Sequence, residues 1–426
     1  MLGKSKRSME LRQVLRALGP GIVTGAADDD PSGIATYSQA GAQFGFGLLW
    51  TVFLTTPFMI GIQLVSAYIG RVTGKGIAAN AKEHHGSTVL FVLVSLLVVA
   101  NIFNIAADIV AMGEALYLVI GGLKREHALI FAAGSVLLQV FVPYHRYAGF
   151  LKWLTLVLFC YVGVVLVVDI PWREVAFATF IPTFDATTDY LMMVVAVLGT
   201  TISPYLFFWQ ASQEVEEMAR GRARRPLKDM ARGGSPELER IAIDTSVGMI
   251  FSNVIAYFIV LTTAATLHAH KVTDIQSAAD AATALRPIAG DFAFALFAVG
   301  IIGTGLLAIP VLAGSAGYAV AEVFGWRSTL EAKFPEAKGF YIIILAATLV
   351  GFGLGFTPLD PIKMLVWSAV LNGVVAVPIM AMMMVLVTSR TVMGRFHARP
   401  WLAIVGWAGT GLMGMTVIGL VASFLI

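Results

Sequence analysis

Three consecutive carboxylates, Asp28-Asp29-Asp30, sit in the middle of an apolar stretch and run directly into Pro31-Ser32-Gly33. Apolar half-segments, roughly 18–27 and 34–49, flank them. Pro31 removes a backbone donor and Gly33 has no side chain to hold a helix, so one regular helix through this stretch is disfavoured. A membrane-spanning helix needs about 20 mostly apolar residues. Acids at that depth are expensive and normally face a protein-lined or watery cavity, where they do a job. The stretch therefore predicts a spanning helix cut in two, with its acids turned inward.

The rest of the chain agrees with a membrane setting. Of 426 residues, 58% are hydrophobic and 13% charged, with mean hydropathy +0.82. Soluble domains carry about 25% charged residues, so an all-α polytopic membrane protein is expected. A net charge of +3 is too small to point to nucleic acid. The one cysteine, Cys160, lies in an apolar run, which excludes an intramolecular disulfide and a cysteine-based metal cluster.

Eleven spanning segments are expected, at about 18–44 (broken), 47–70, 88–119, 128–143, 149–169, 189–217 (broken), 239–267, 291–320, 339–356, 361–387 and 400–426. The candidate cytoplasmic loops are 71–86, 143–152, 219–240, 322–338 and 388–399. The longest holds Arg220, Arg222, Arg224, Arg225, Lys228 and Arg232, whereas the opposite loops 122–127, 171–189 and 268–291 are poorer in Lys and Arg. By the positive-inside rule the N-terminus is cytoplasmic, and an odd number of spans puts Ile426 outside. Residues 1–17, with Lys4, Lys6, Arg7, Arg12 and Arg16, are read as a retained cytoplasmic tail, and 18–426 as the membrane domain.

Segment six is interrupted like segment one. Its first half meets Gly199-Thr200-Thr201-Ile202-Ser203-Pro204, and a second half resumes through Glu217. The two interrupted segments are five apart, so halves of five segments have opposite topology. Paired Gly/Pro interruptions at corresponding places in two halves point to a transport site at the membrane midplane. Unwound backbone is tolerated there only where it lines a cavity or is buried in protein.

Segment one, from Gly19-Pro20-Gly21 through Asp30-Pro31-Ser32-Gly33-Ile34-Ala35-Thr36, resembles the Nramp divalent-metal transporters, whose motif there is Asp-Pro-Gly-Asn. Segment six, Gly199-Thr200-Thr201-Ile202-Ser203-Pro204-Tyr205, is similar to their Gly-Ala-Thr-Val-Met-Pro-His. Ile243-Asp244-Thr245-Ser246 and Gly303-Thr304-Gly305-Leu306-Leu307-Ala308 resemble the family as well. The resemblance implies a LeuT-type fold of two inverted five-helix repeats, about 18–169 and 189–387, with an eleventh helix at 400–426. It also implies an integral protein of a prokaryotic inner membrane, no enzymatic activity and no resident cofactor. Its partners are then a divalent metal ion as cargo and membrane lipid, with no nucleic acid and no obligate protein partner.

The family's metal-binding Asp falls on Asp30, its Asn on Gly33, its Met on Ser203, its carbonyl-offering Ala on Thr200 and its His on Tyr205. Of a pair of segment-three acids, Asp108 is retained and Ala111 is not; a segment-ten Gln lies within one position of Asn372. This pattern resembles the divergent, magnesium-transporting branch. A thioether suits soft metals, whereas carboxylate, hydroxyl and carbonyl oxygens suit hard cations. Magnesium dehydrates reluctantly and is usually held by one or two carboxylates. Gly33 and Ser203 both remove bulk, which leaves room for a partly hydrated ion. Asp28 and Asp29 are expected to add negative potential near the entrance, with Asp30 the leading ligand and Asp29 second. The expectation is Mg²⁺ transport, with Mn²⁺ also carried.

Proton coupling needs a relay of titratable groups. A tyrosine, ionising near pH 10 as a free side chain, is a poor relay, and without an acid at Ala111 Asp108 is largely isolated. Weak or absent coupling follows. The competing readings are a proton-coupled Mn²⁺/Fe²⁺ importer and an amino-acid or organic-cation carrier of the same fold. Three acids at the first break repel a substrate carboxylate and disfavour the latter.

Other polar residues have plainer readings beside functional ones. Asp108 and Asn104 form an i, i+4 pair that lines the pathway or joins helices; Glu114 is weighed the same way. Glu214, Glu216 and Glu217 read as a solvated gate, an ion-pair site or surface charge. Asp244 reads as a helix cap, with an inner gate as the alternative. Asn372 and Gln210 either contact ion-bound water or join helices. The histidines all fall in loops or at segment ends. Met380, Met382, Met383 and Met384 read as lipid or core packing, and Gly351, Gly353 and Gly355 as close helix packing.

Overall fold

The first apolar segment is cut where the acids predict. Helix α1 covers Pro20–Asp28 and α2 covers Pro31–Phe44. Pro at the first position of each helix suits its fixed φ and missing donor. Asp30 is the N-cap of α2, its carboxylate accepting the Gly33 N–H at 2.7 Å. A computed structural model of the chain describes residues 19–84, 86–142, 151, 153–220, 225–230, 233–357 and 360–425. The expected tail at 1–17, most of the loop at 143–152, Arg222, Arg224, Arg232 and Ile426 lie outside the described residues.

After α2 come α3 (Leu49–Thr73), α4 (Ile77–His84), α5 (Ser87–Ile120) and α6 (Lys124–Phe141). The fifth segment is a 3₁₀ turn, Thr155–Phe159, leading into α7 (Cys160–Val165), and α8 (Trp172–Phe180) follows. The second interrupted segment is α9 (Thr188–Thr201) and α10 (Pro204–Arg220). Then come α11 (Ser235–Thr266), α12 (Ala278–Thr283), α13 (Ala293–Phe324), α14 (Lys338–Leu354), α15 (Pro361–Thr388) and α16 (Pro400–Ser423). No strand occurs among the described residues.

Seven helical stretches are long and apolar enough to cross a membrane by length and composition. The fifth and ninth expected segments are shorter apolar helices, and the first span in that set, Pro31–Thr73, runs segments one and two together. The shortfall from eleven has physical causes besides this merging: segments five and nine are short, and α6, 18 residues long, opens on the charged Lys124, Arg125 and Glu126. Helices α4, α8 and α12 fall in stretches expected as loops, because short helices lack a long apolar run. The α4 N-terminus is secured from α13, where Glu322 Oε2 accepts the Ala79 N–H at 3.0 Å.

Each repeat grips the other through its broken helix. Helix α2 packs on α11 and α10 packs on α3, so the half beyond each break lies on the helix that follows the break in the other repeat. Glycine makes both contacts close. A Cβ on Gly41 would fall 2.4 Å from the Val260 carbonyl oxygen, and one on Gly70 would fall 2.2 Å from that of Ala211. Gly25 meets Gly248 of α11 and Gly199 meets Ala369 of α15 at the same range, 2.2 Å each. Small residues allow such approach where lipid gives no hydrophobic drive to helix pairing. Gly351 and Gly355 pack α14 on α5, while Gly353 has open space. Met380, Met382, Met383 and Met384 of α15 are buried, and Met384 sits over Gly406 of α16. Cys160 is partly buried and free.

Gly70→Ala is expected to lower stability by about 1–3 kcal/mol through overpacking, read as a lower unfolding temperature in detergent. Gly86→Ala, with nothing within 4 Å of its Cβ, is the control. Equal melting of the two variants would show that the α3–α10 contact is not tight.

Candidate metal site

Both helix breaks are short. Asp29 (φ −82, ψ 50) and Asp30 (φ −69, ψ 170) link α1 to α2; Ile202 (φ −119, ψ 68) and Ser203 link α9 to α10. A helix end leaves carbonyls without intrahelical partners. At the end of α9, Ser203 fills this need: its hydroxyl donates to the Thr200 carbonyl at 2.7 Å, with the Gly199 carbonyl at 2.9 Å. At the end of α1, the Ala27 carbonyl accepts from the Tyr205 hydroxyl at 3.1 Å.

The breaks meet at Asp30. Its Oδ1 accepts the Gly33 N–H and its Oδ2 lies 3.3 Å from the Tyr205 hydroxyl, which is shared with Ala27. A Cβ on Gly33 would lie 3.1 Å from Thr200 Oγ1, 3.3 Å from the Asp28 carbonyl oxygen and 3.4 Å from Asp30 Oδ1. A carboxylate, a hydroxyl and a freed carbonyl thus converge beside the one position without a side chain. The bulk removed at Gly33 is taken up by these oxygens. Asp30, Thr200, Ser203 and Tyr205 are each at most 2% exposed. Among the described residues no three His, Cys, Asp or Glu side chains form a metal-binding group, so any ion here draws on hydroxyls and carbonyls.

Asp28 and Asp29 do not stand at an entrance; they are 1% and 0% exposed. Both turn to Ser252 of α11, whose hydroxyl lies 2.6 Å from Asp28 Oδ2 and 3.0 Å from Asp29 Oδ1. One proton cannot serve both fully, and Asp28 Oδ1 and Asp29 Oδ2 have no partner. Asp29 is therefore drawn toward α11, while Asp30 faces the second break. Three consecutive side chains on unwound backbone cannot share one direction. Ser252 was not legible in any motif; nor was Tyr37, which bonds Thr201 Oγ1 at 2.9 Å.

Asp108 on α5 is fully buried, lies within electrostatic reach of Asp30 and approaches the Ser32 amide. Neither of its oxygens attains hydrogen-bond geometry, and both polar atoms of the buried Asn104 are also unpartnered. Asn372 is buried on α15, with Oδ1 unpartnered, next to Gly373, which packs on Gly199. Among the described residues Asp28, Asp29, Asp30 and Asp108 make no salt bridge with Lys or Arg. Uncompensated charge in an apolar interior is costly unless a proton or cation neutralises it.

A polar track leads from the first break along α10. Thr24 of α1 donates to Gln210 Oε1 at 2.5 Å, and Gln210 Nε2 donates to Glu214 Oε1 at 3.1 Å. The solvated reading is corrected for Glu214 and Glu216, which are 1% and 5% exposed, while the ion-pair reading agrees with Arg220 at 3.4 Å from Glu216 and Arg240 at 3.8 Å from the partly exposed Glu217. Glu214 lies 3.9 Å from Arg240, and Glu216 accepts from Tyr318 at 2.5 Å and from the Leu330 N–H at 2.7 Å. Burial follows from α10 packing against α13. Asp244 caps a helix other than its own, accepting the Gly19 and Gly21 N–H groups at 2.8 Å each. It fixes the start of α1 to α11. Glu114 pairs with the partly exposed Lys124 at 2.5 Å.

Comparison with known proteins places this architecture. A family model described as "Natural resistance-associated macrophage protein-like", Nramp, matches residues 21–423. A relative named divalent metal cation transporter MntH, from Xanthomonas campestris pv. campestris, is 27% identical over 420 residues, covering 96% of this chain and 89% of the relative. The crystal structure of the Eremococcus coleocola manganese transporter in complex with an aromatic bis-isothiourea substituted compound is similar in fold, with TM-score 0.72 at 16% identity, covering 97% of this chain and 88% of that one. The nucleobase-cation-symport-1 family transporter Mhp1 has TM-score 0.55 at 14% identity, covering 96% and 90%. The fold is therefore the LeuT type, two inverted five-helix repeats and an eleventh helix. With its two helix breaks facing each other and a family match running nearly end to end, the chain belongs to the Nramp family.

Proposed function

We propose that this protein carries divalent metal ions across a membrane by alternating access, with Asp30 as the central ligand and Mg²⁺ as the favoured ion, Mn²⁺ also being accepted. The observation that carries this reading is the convergence of Asp30 Oδ1, Thr200 Oγ1 and the Asp28 carbonyl beside Gly33. The name of the Xanthomonas relative supports the cargo class. The donor set supports the choice within that class: hydroxyl, carboxylate and carbonyl oxygens suit hard cations, and Ser203 stands where the resemblance places the family's Met. Ser203 contributes an oxygen lone pair, because its proton is held by the α9 carbonyls. Tyr205 orients Asp30, and Asn372 and Asp108 supply further polar atoms toward ion-bound water. Asp29 belongs to the same site at one remove, through Asp28 and Ser252.

The driving force in this reading is electrical. A membrane potential contributes about 2.3 kcal/mol per charge per 100 mV, and twice that for a divalent ion. One observation favours the alternative of proton coupling: Asp108, buried near Asp30, has no partner for either oxygen. The two readings separate in proteoliposomes. Electrical drive predicts metal uptake without acidification of the lumen; acidification that follows metal entry and is lost in Asp108→Asn establishes coupling through Asp108.

The site itself is tested by metal flux. Asp30→Ala is expected to abolish Mg²⁺ uptake, and Ser203→Met to shift preference toward Cd²⁺ and other soft metals. Cd²⁺ uptake without Mg²⁺ uptake by the unaltered protein would overturn the hard-cation assignment. Gly33→Asn places atoms where three oxygens now converge and is expected to cut Mg²⁺ uptake by about tenfold or more, equivalent to at least about 1.4 kcal/mol, with the fold retained. Full activity in this variant would place the ion elsewhere.

A further inference from the structure

A second cavity shares no lining residue with the two helix breaks. It has a volume of about 770 Å³ and opens where α3, the start of α11 and the start of α16 come together. Its wall includes Tyr68, Glu239, Arg395, Arg399 and Trp401. Gly233, Glu239, Arg395 and Arg399 of this wall belong to the two stretches, 219–240 and 388–399, expected as basic loops. Ligand pockets fall at about 300–1,000 Å³, so the volume suits a small polar ligand or a lipid headgroup.

The cavity wall carries both signs of charge. Arg395 is held in place, donating to the Met230 carbonyl at 3.0 Å and the Gly233 carbonyl at 3.1 Å, with its guanidinium 4.7 Å from the Phe396 ring centre. Arg399, the N-cap residue of α16, is exposed and shares the cavity wall with Tyr68. Glu239 of α11 is exposed as well. Among the described residues neither Arg399 nor Glu239 forms a salt bridge. Two guanidinium groups and one carboxylate around a single cavity complement a phosphate that carries an amine.

The surroundings distinguish a lipid from a soluble phosphate. Helix α16 is the most exposed of the long apolar helices, with 28% of its apolar window buried. Ile404, Trp407 and Ile418 stand 68%, 44% and 69% exposed along it. Trp401, 50% exposed, and Tyr68 line the cavity at the head of that surface, as aromatic rings do at the headgroup level of a bilayer. Acyl chains can lie along α16 while the headgroup enters the cavity. Basic pockets on the cytoplasmic side of membrane helices recognise lipid phosphates in this way.

We propose that this cavity is a binding site for a phosphoethanolamine headgroup, that of phosphatidylethanolamine in the leaflet facing the basic loops. Arg395 and Arg399 take the phosphate, and Glu239 takes the ammonium. The lipid bridges α16 to the α3–α11 pair.

The test is native mass spectrometry of the full-length protein, delipidated in detergent and titrated with phosphatidylethanolamine, phosphatidylglycerol, phosphatidylcholine or free phosphoethanolamine. The unaltered protein is expected to retain phosphatidylethanolamine about tenfold better than phosphatidylcholine or phosphatidylglycerol, the scale of one charge-assisted contact. Arg399→Gln is expected to reduce that retention several-fold, while unfolding in lipid-free detergent stays unchanged. Glu239→Gln is expected to shift preference toward phosphatidylglycerol. Equal retention of all three lipids, or no effect of Arg399→Gln, overturns the site. Preference of the unaltered protein for phosphatidylglycerol overturns the ammonium assignment. Binding of free phosphoethanolamine as tightly as of the lipid overturns the lipid assignment.

Discussion

Four carboxylates, on Asp28, Asp29, Asp30 and Asp108, lie buried in the middle of an apolar helix bundle, and among the described residues no lysine or arginine pairs with any of them. Buried charge of one sign costs several kcal/mol per group unless neutralised. What the structure supplies instead is short-range and local: the Gly33 amide and Tyr205 hydroxyl at Asp30, and one Ser252 hydroxyl between Asp28 and Asp29. These contacts hold the carboxylates in place without discharging them. Neutralisation therefore falls to protons or to a cation, and in the proposed reading that cation is the transported metal ion.

The two helix breaks follow from this constraint. An unbroken α1–α2 helix would splay its acids around a cylinder, about 100° apart, and some would face neighbouring apolar surfaces. Unwinding at Asp29 and Asp30 lets adjacent acids turn to different partners, Asp29 to α11 and Asp30 to the second break. The glycines at the crossing points let the bundle close around the unwound backbone; at Gly25, Gly41, Gly70 and Gly199 a Cβ would collide with a neighbouring carbonyl. Asp244 then fastens the free end of α1 to α11, so the half-helix leading to the site is anchored by two amides at its far end. In the proposed alternating access, movement of α1 away from α11 would break that cap.

Much of this was legible in the sequence because the signals were chemical and local. Asp-Pro-Ser-Gly and the stretch from Gly199 to Pro204 declare broken helices by backbone chemistry alone, and both breaks fall within a residue or two of the expected place. Long-range contacts were not legible. Nothing in the spacing of Ser252 shows that it serves two acids more than 220 positions away, and Asp244 reads as a cap for its own helix until the start of α1 is seen against it. Glu214 and Glu216 follow the rule that charge near a helix end is solvated, and the packing of α10 on α13 overrides that rule. The chemistry of each residue was readable; which neighbour answered it depended on how the two repeats cross.

The measurement that bears most directly on the account is anomalous X-ray scattering from crystals of the protein soaked in Mn²⁺. Mn²⁺ serves as a scattering reporter for a hard divalent ion. The account predicts one dominant peak between the two breaks, next to Asp30 and within reach of Thr200 and Ser203 directly or through one water, and its loss in Asp30→Ala. A dominant peak between Asp28, Asp29 and Ser252, or one that persists in Asp30→Ala, would contradict it.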